Sequence, residues 1–166
     1  MLSYVDPQFA SPYAMPVFVA LHEKRLPFAL QTLDLAAGAH HQPAYARTSI
    51  TQRVPTLVDG DFALSESSAI TGYLDEIYRG PALYPSATRA HARARQVQAW
   101  LRSDLPAIRQ ERSTEVVFYG PTSRPLSVDG VRAAAKLFAG AADPLAHGGD
   151  NLCGDQWCIA DVDLVL

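Results

Sequence analysis

The sequence has few cysteines, no long apolar run and no large excess of charge of either sign. Its 166 residues include 2 cysteines, Cys153 and Cys158, which excludes the disulfide framework that small secreted domains need. No apolar run approaches the roughly 20 residues that a membrane-spanning helix requires. The first residues, Met1–Asp6, lack the basic and then apolar pattern of a secretory signal. We therefore expect a cytoplasmic protein that has no membrane partner.

The charge balance and the cysteine spacing exclude two further classes of partner. A formal net charge of −3 gives no general attraction to nucleic acid, and we interpret the arginines between residues 89 and 109 as a solvated helix face. Cys153 and Cys158, with His147 nearby, lack the usual spacing of a zinc site. We predict no metal and no bound cofactor.

Periodicity in the first half predicts the element order βαβαββα. The predicted elements are a strand at Leu2–Val5, a helix at Pro12–Lys24, a strand at Pro27–Leu35, a short helical turn within residues 36–50, strands at Pro55–Val58 and Phe62–Leu64, and a helix at residues 66–78. Asp59-Gly60 indicates a hairpin, because glycine tolerates positive φ. The last helix is expected to bury Ile70, Tyr73, Leu74 and Ile77. This pattern is typical of a thioredoxin-like α/β domain.

The second half shows helical periodicity alone and predicts an all-α domain. One helix is predicted at Ala87–Gln110, interrupted by Pro106, and another at Val128–Leu145, with a polar loop at residues 111–127 between them. The inward residues of the second helix are predicted to be Val131, Ala135, Phe138, Ala142 and Leu145.

The composition and the last residues together predict the division of the chain. We expect a first domain at 1–79, a linker at 80–85 and a helical domain at 86–166. A further helix opens at Cys158 and stops in the apolar run that ends at Leu166. From this we expect the helical domain to be incomplete at its C-terminus.

Three short motifs carry the candidate chemistry, and each also has a purely structural interpretation. Ser11 precedes Pro12 at a predicted helix start, where a hydroxyl caps the helix or donates a hydrogen bond to a bound anion. Val54-Pro55 opens a strand, and a cis bond there would leave the Val54 backbone free to pair with an extended peptide. Ser65, Glu66 and Ser67 open a helix, where Ser65 caps the first turn or the polar groups together bind a carboxylate.

In this order the motifs resemble those of the glutathione S-transferase family. The resembling segments are Ser11-Pro12-Tyr13, Val54-Pro55, Glu66-Ser67-Ser68-Ala69-Ile70 and Cys158-Ile159-Ala160-Asp161. The strings Leu64–Ile70, Gln98–Leu105 and Trp157–Asp161 look particularly like the bacterial YfcF-type subgroup, which is associated with glutathione-dependent peroxidase activity. The resemblance covers almost the whole chain.

The resemblance implies a role for each site residue. Ser11 would stabilise the glutathione thiolate, although Tyr13 lies two residues away and is the alternative. The Val54 backbone would pair with the cysteinyl part of glutathione. The remaining implied glutathione contacts are Glu66 and Ser67 at the γ-glutamyl end, Arg53 near the glycyl carboxylate, and Gln42 or His41 at that same end.

The expected function is that of an enzyme. It would direct glutathione, as a co-substrate, at a small hydrophobic electrophile or a hydroperoxide, and the resemblance implies a homodimer. The alternative is a non-enzymatic binding or regulatory module with the same fold. A thiol–disulfide oxidoreductase is disfavoured because that chemistry needs a cysteine where Ser11 stands.

Overall fold

Four short strands form one mixed sheet in the computed structural model, which describes residues 1–146 and 148–165. The strands are β1 (Leu2–Val5), β2 (Ala29–Thr32), β3 (Thr56–Asp59) and β4 (Phe62–Ser65). Their order across the sheet is β2-β1-β3-β4. β1 pairs parallel with β2 and antiparallel with β3, and β3 pairs antiparallel with β4. The predicted βαβ unit and hairpin are both confirmed.

The helices of the first half complete the predicted order. They are α1 (Ala14–Glu23), α2 (Pro43–Ala46), which follows a 3-10 turn at Ala39–His41, and α3 (Ser67–Ile77). The element order is therefore that of a thioredoxin-like domain. Residue contacts divide the chain into a unit at Met1–Leu83 and a second unit that begins at Tyr84. His147 and Leu166, both named in the sequence interpretation, lie outside the described residues.

Helices α1 and α3 pack against each other in the core of the first unit. Val17 and Leu21 of α1 and Ile70 and Leu74 of α3 are completely buried, as helical spacing predicts. The end of α1 is tied to α3 by a buried ion pair of Lys24 Nζ with Asp75 Oδ1, at 2.6 Å. The same ammonium group donates to the Tyr78 carbonyl at 3.0 Å, so the buried charge is both paired and hydrogen-bonded.

Two burial predictions for the first unit are wrong. Ile77 is 60% exposed because it is the last residue of α3, beyond the contact with α1. All four residues of β2 are exposed, although alternation predicted one buried face. β2 is an edge strand, and the buried residue of this segment is Leu33, just after it.

The second unit contains more helices than were predicted. Its elements are α4 (Thr88–Ser103), α5 (Pro106–Glu111), α6 (Thr114–Phe118), α7 (Val128–Leu145) and α8 (Ile159–Val165). Pro106 starts α5 rather than interrupting one long helix, because proline is suited to the first helical turn. The prediction of a loop over residues 111–127 is wrong at α6, whose cap is Ser113. None of the helices described has the length and apolarity that crossing a bilayer would require.

Helix α7 has the predicted bounds but turns a different face inward. Its buried residues are Gly130 and Ala133, whereas Val131 is 56% and Phe138 75% exposed; the predicted burial of Ala135 and Ala142 is also wrong, since both are exposed. A Cβ added at Gly140 would lie 2.5 Å from Cη2 of Trp100. The neighbouring side chains approach α7 so closely that small residues form its inner face.

The start of α8 is held by the side chain of Asp161. Its carboxylate accepts the Cys158 backbone N–H at 2.8 Å and the Leu152 N–H at 2.7 Å. Inside the same unit, the buried carboxylate of Asp163 accepts from Gln98 Nε2 at 2.7 Å and pairs with Arg102 at 3.0 Å. Burial raises the pKa of Asp163 despite this pairing.

Two glycine substitutions test this account of helix packing. Gly140→Ala should lower the free energy of unfolding by about 1 kcal/mol. Overpacking against Trp100 destabilises the fold by about 2 kcal/mol, and the higher helix propensity of alanine stabilises it by about 1 kcal/mol. Gly72→Ala, in the middle of α3, should raise it by about 0.5–1 kcal/mol because the added methyl meets no atom within 4 Å. Urea denaturation of both variants provides the measurement. If the two variants changed the free energy of unfolding in the same direction, the close approach of Trp100 to Gly140 would be contradicted.

Candidate functional site

The strand register brings the three sequence motifs to one edge of the sheet, the edge formed by the strand ends. Tyr4 of β1 lies opposite Thr56 of β3, and Thr56 lies opposite Ser65 of β4. Because β3 runs antiparallel to both neighbours, its beginning lies where β1 and β4 end. The Ser11 loop follows β1, Val54 precedes β3, and Glu66 follows β4. These motifs are far apart in sequence and adjacent in the fold.

Ser11 is placed as an N-terminal cap of the first helix. Its Oγ accepts the backbone N–H of Tyr13 at 3.3 Å and that of Ala14 at 3.2 Å. Its carbonyl accepts the N–H groups of Ala14 and Met15. A hydroxyl has two acceptor sites and one proton to donate. With both acceptor sites used by backbone amides, the hydroxyl still has its proton to donate.

The carboxylate of Asp6 organises the loop that carries Ser11. Asp6 is 7% exposed, and its two oxygens accept the Ala10 N–H at 2.8 Å and the Ser11 N–H at 3.0 Å. The Asp6 carbonyl also accepts the Phe9 N–H at 3.2 Å, which closes a turn in which Phe9 has a φ of 55°. Sequence reasoning missed Asp6. The available signal was an acidic residue directly after a strand, a position from which a side chain can bind loop amides.

An apolar cavity of about 280 Å³ opens beside Ser11 within the first unit. Its wall is formed by residues of β1, α1 and β2 and by the loop between β1 and α1: Val5, Asp6, Phe9, Ser11, Ala14, Met15, Phe18 and Leu30. Phe9 is 54% exposed and Leu30 38% exposed at this surface. The Ser11 hydroxyl therefore stands at the border of a surface suited to an apolar ligand.

The Tyr13 side chain remains an alternative to Ser11. Tyr13 is half-buried and immediately precedes α1. Its backbone N–H is held by Ser11 Oγ, so the two residues share one turn. The Ser11 hydroxyl accepts two amides at the start of this helix. Which of the two hydroxyls meets a ligand stays a prediction to be tested.

Val54 and Pro55 form the second part of the site. The bond between them is cis, which confirms the prediction. Val54 is 8% exposed, yet within residues 1–146 and 148–165 its backbone N–H and C=O make no hydrogen bond. Arg53 is exposed at the surface beside it. An unpaired amide and carbonyl ahead of a strand are suited to pairing with an extended peptide.

Buried hydroxyl groups lie beneath this backbone segment. Tyr45 Oη donates to the Arg53 carbonyl at 2.6 Å, and Thr56 Oγ1 lies 3.2 Å from the same oxygen. Ser49 Oγ lies 2.8 Å from Ser65 Oγ and accepts from Thr56 Oγ1 at 2.9 Å. We call Tyr45, Ser49, Thr56 and Ser65 the hydroxyl cluster. Sequence reasoning missed it, because single hydroxyl residues in a loop and two strands have no diagnostic spacing.

Glu66 and Ser67 lie at the start of α3, as predicted. Glu66 is exposed and has a φ of 75°, in the region that non-glycine residues seldom occupy. Its side chain does not cap the helix. Ser67 is 2% exposed, a burial that the sequence did not predict. Glu66 thus combines an uncommon backbone conformation with an exposed side chain.

The loop after β2 carries the last candidate residues. Gln42 is exposed and directly precedes α2, where its carbonyl accepts the Ala46 N–H at 2.9 Å. The ring of His41 lies 3.8 Å from that of His40, and its Nδ1 is 3.0 Å from Gln52 Oε1. Gln42 and His41 were the two alternatives for one ligand contact. The His41 side chain already has Gln52 as a partner, whereas the described part of the chain offers no partner to the Gln42 side-chain amide.

The cysteines take no part in this site. Both belong to the second unit, where burial raises the pKa of Cys153 and, more strongly, that of Cys158. Thiols of this kind stay protonated near neutral pH and are poor nucleophiles. Among residues 1–146 and 148–165 no group of three or more His, Cys, Asp or Glu side chains is placed to hold a metal ion.

Both halves of the chain match models of one protein family. Residues 9–82 match the family model described as the glutathione S-transferase N-terminal domain, and residues 87–166 match the one described as its C-terminal domain. Bovine glutathione S-transferase theta-1 is 40% identical over 90 residues, which are 54% of this chain and 38% of that protein. The match thus spans well under half of that curated relative.

Longer alignments cover almost the whole chain and about three quarters of two further relatives. Maize glutathione S-transferase 3 is 33% identical over 166 residues, 94% of this chain and 72% of that protein. The crystal structure of a Burkholderia glutathione transferase homologue with bound glutathione is 36% identical and superposes with a TM-score of 0.76. This alignment covers 98% of this chain and 77% of that one.

The role given to Asp6 is tested by Asp6→Asn. The variant keeps the size of the side chain but turns one acceptor into a donor that faces a buried backbone N–H. We expect the free energy of unfolding to fall by about 1–3 kcal/mol. Urea denaturation measures it, with Asp34→Asn as the matched control. Asp34 accepts the Ala37 N–H on an exposed loop, where the cost should be about 0.5 kcal/mol or less. Equal losses in the two variants would contradict the role of Asp6.

Proposed function

The chain belongs to the glutathione S-transferase family, and from that premise we propose that it binds glutathione in its first unit and activates the glutathione thiol. The observation that carries the proposal is the Ser11 hydroxyl at the start of α1. Two backbone amides occupy its acceptor sites, and an apolar cavity opens beside it. Its remaining proton is suited to a hydrogen bond with the sulfur of glutathione.

Thiol activation follows from the electrostatics of this position. Amides that donate to Ser11 Oγ withdraw electron density, which makes the hydroxyl a stronger donor. The N-terminus of α1 also favours negative charge. Both effects stabilise a thiolate over a thiol and move the thiol pKa from about 8.5 toward neutrality. Ser11 forms no covalent bond with the substrate in this mechanism, and Tyr13 is the alternative donor.

Glutathione would lie across the sheet edge that the strand register creates. The Val54 N–H and C=O pair with its cysteinyl part. Glu66 and Ser67 receive its γ-glutamyl amine and carboxylate. Arg53 and Gln42, or His41 in place of Gln42, meet the glycyl carboxylate. The bound glutathione in the similar Burkholderia homologue supports this assignment by analogy.

The second substrate would be a small hydrophobic molecule in the cavity beside Ser11. With an electrophile, the thiolate sulfur bonds to carbon and expels the leaving group. With a hydroperoxide, the thiolate sulfur bonds to the terminal oxygen, the O–O bond breaks and the alcohol leaves after taking up a proton. A second glutathione then attacks the sulfenic acid that remains, which releases water and glutathione disulfide. The YfcF-type subgroup that the sequence resembles favours this peroxidase reaction. We further propose a homodimer that acts in the cytoplasm.

Titration of the full chain with glutathione separates the proposal from its alternative. Calorimetry should show saturable binding, and assays with cumene hydroperoxide and a chlorinated aromatic should show turnover with at least one of them. Binding without turnover of either substrate would favour a non-enzymatic module. Absence of binding would overturn the proposal as a whole.

The roles of Ser11 and Tyr13 are separated by single substitutions. Ser11→Ala should leave glutathione affinity within a few-fold and lower turnover at neutral pH about 10- to 100-fold, with the pH–rate profile moved to higher pH. It should also cost about 1 kcal/mol of stability through loss of the cap, so rates are measured well below the melting temperature. Tyr13→Phe is the control and should keep the wild-type profile.

The opposite result would transfer the role to the tyrosine. If Tyr13→Phe abolishes turnover while Ser11→Ala leaves the rate and the pH profile unchanged, Ser11 is only a helix cap. Loss of turnover in both variants, with neither profile shifted, would contradict thiol activation by either hydroxyl.

A further inference from the structure

The hydroxyl cluster converges on one backbone carbonyl, that of Arg53. Tyr45 Oη donates to it at 2.6 Å, and Thr56 Oγ1 and Ser49 Oγ lie 3.2 Å and 3.5 Å from the same oxygen. Tyr45 is 5% exposed, and Ser49 and Thr56 are completely buried. Thr56 Oγ1 also lies 2.9 Å from Tyr45 Oη, so it holds the phenol against the carbonyl. The short bond from the buried phenol fixes the direction of the carbonyl, because turning it away would remove the acceptor of a buried donor.

The direction of this carbonyl also determines the direction of the next amide. The Arg53–Val54 peptide is trans and planar, so the Val54 N–H points opposite to the Arg53 C=O. Since the carbonyl points into the buried cluster, the N–H points away from it. This is the same N–H that has no partner among the described residues.

The Tyr45 side chain is itself held firmly. Its ring belongs to a buried apolar cluster with Leu33 and Val54. The ring of Tyr4 meets it edge to face, with centroids 5.0 Å apart. Burial raises the pKa of Tyr45, so the phenol keeps the proton that it donates. The cluster also continues through Ser49 to Ser65, the residue before Glu66.

We propose that Tyr45, together with Thr56, is a positioning residue for ligand binding, which holds the Arg53–Val54 peptide so that the Val54 N–H faces an incoming extended peptide. The identity of that peptide as glutathione rests on the proposed function. Tyr45 touches neither the thiol nor Ser11 in this scheme. Its effect therefore falls on glutathione affinity and not on thiol ionisation.

Calorimetric titration with glutathione tests the positioning role. Tyr45→Phe should weaken affinity about five- to tenfold, the loss of one well-formed hydrogen bond. Thr56→Val should have a similar effect, and Thr56→Ser, which keeps the hydroxyl, should restore affinity. Tyr4→Phe is the matched control. It removes a hydroxyl from the adjoining ring without touching Arg53 and should leave affinity unchanged.

The kinetics distinguish positioning from a general loss of structure. In Tyr45→Phe the KM for glutathione should rise by the same factor as the dissociation constant, while kcat at saturation and its pH profile stay as in the wild type. A purely structural role would lower the melting temperature without moving affinity at temperatures well below it. Unchanged affinity in both Tyr45→Phe and Thr56→Val would overturn the proposal.

A measurement without ligand keeps the test independent of the proposed function. Nitrogen-15 relaxation of the Val54 amide should give an order parameter near that of rigid backbone, about 0.85, in the wild type and in Tyr4→Phe. In Tyr45→Phe it should fall toward the flexible range, below about 0.6. A rigid Val54 amide in Tyr45→Phe would contradict the proposal even if the wild type bound no glutathione. A wild type that fails to bind would overturn the proposed function alone.

Discussion

The antiparallel pairing of β3 with both of its neighbours is the constraint on which the site depends. It places the end of β1, the beginning of β3 and the end of β4 at one edge, through the register of Tyr4, Thr56 and Ser65. A shift of this register by one residue would turn every side chain of β3 to the opposite face. The loops that carry Ser11, Val54 and Glu66 would then no longer meet.

Backbone groups rather than charged side chains make up much of this edge, and buried side chains orient them. Asp6 binds two amides of the loop before α1, and the Ser11 hydroxyl binds two more at the helix start. Tyr45 binds the carbonyl that precedes Val54. The chain thus fixes its candidate binding groups from within the first unit, by hydrogen bonds that are largely shielded from water and therefore costly to break.

Sequence patterns predicted the elements well because hydrophobic spacing and turn chemistry are local. The hairpin at Asp59-Gly60 and the helix Val128–Leu145 are examples. The inner face of that helix was predicted wrongly, since close approach by Trp100 selects Gly140 over larger residues, and only the packed structure shows such contacts. Asp6 and Tyr45 escaped prediction for a related reason. Their roles lie in bonds to backbone groups, which leave little residue pattern: Asp6 offered only an acidic residue directly after a strand, and Tyr45 offered none.

The central claim is that the environment of Ser11 favours a thiolate, and it is tested most directly by the ionisation of bound glutathione. The ultraviolet absorbance of the thiolate, followed against pH on the full chain saturated with glutathione, gives the pKa of the bound thiol. The account predicts a value clearly below the about 8.5 of a free cysteine thiol. A bound thiol that ionises at the same pH as free glutathione would contradict it.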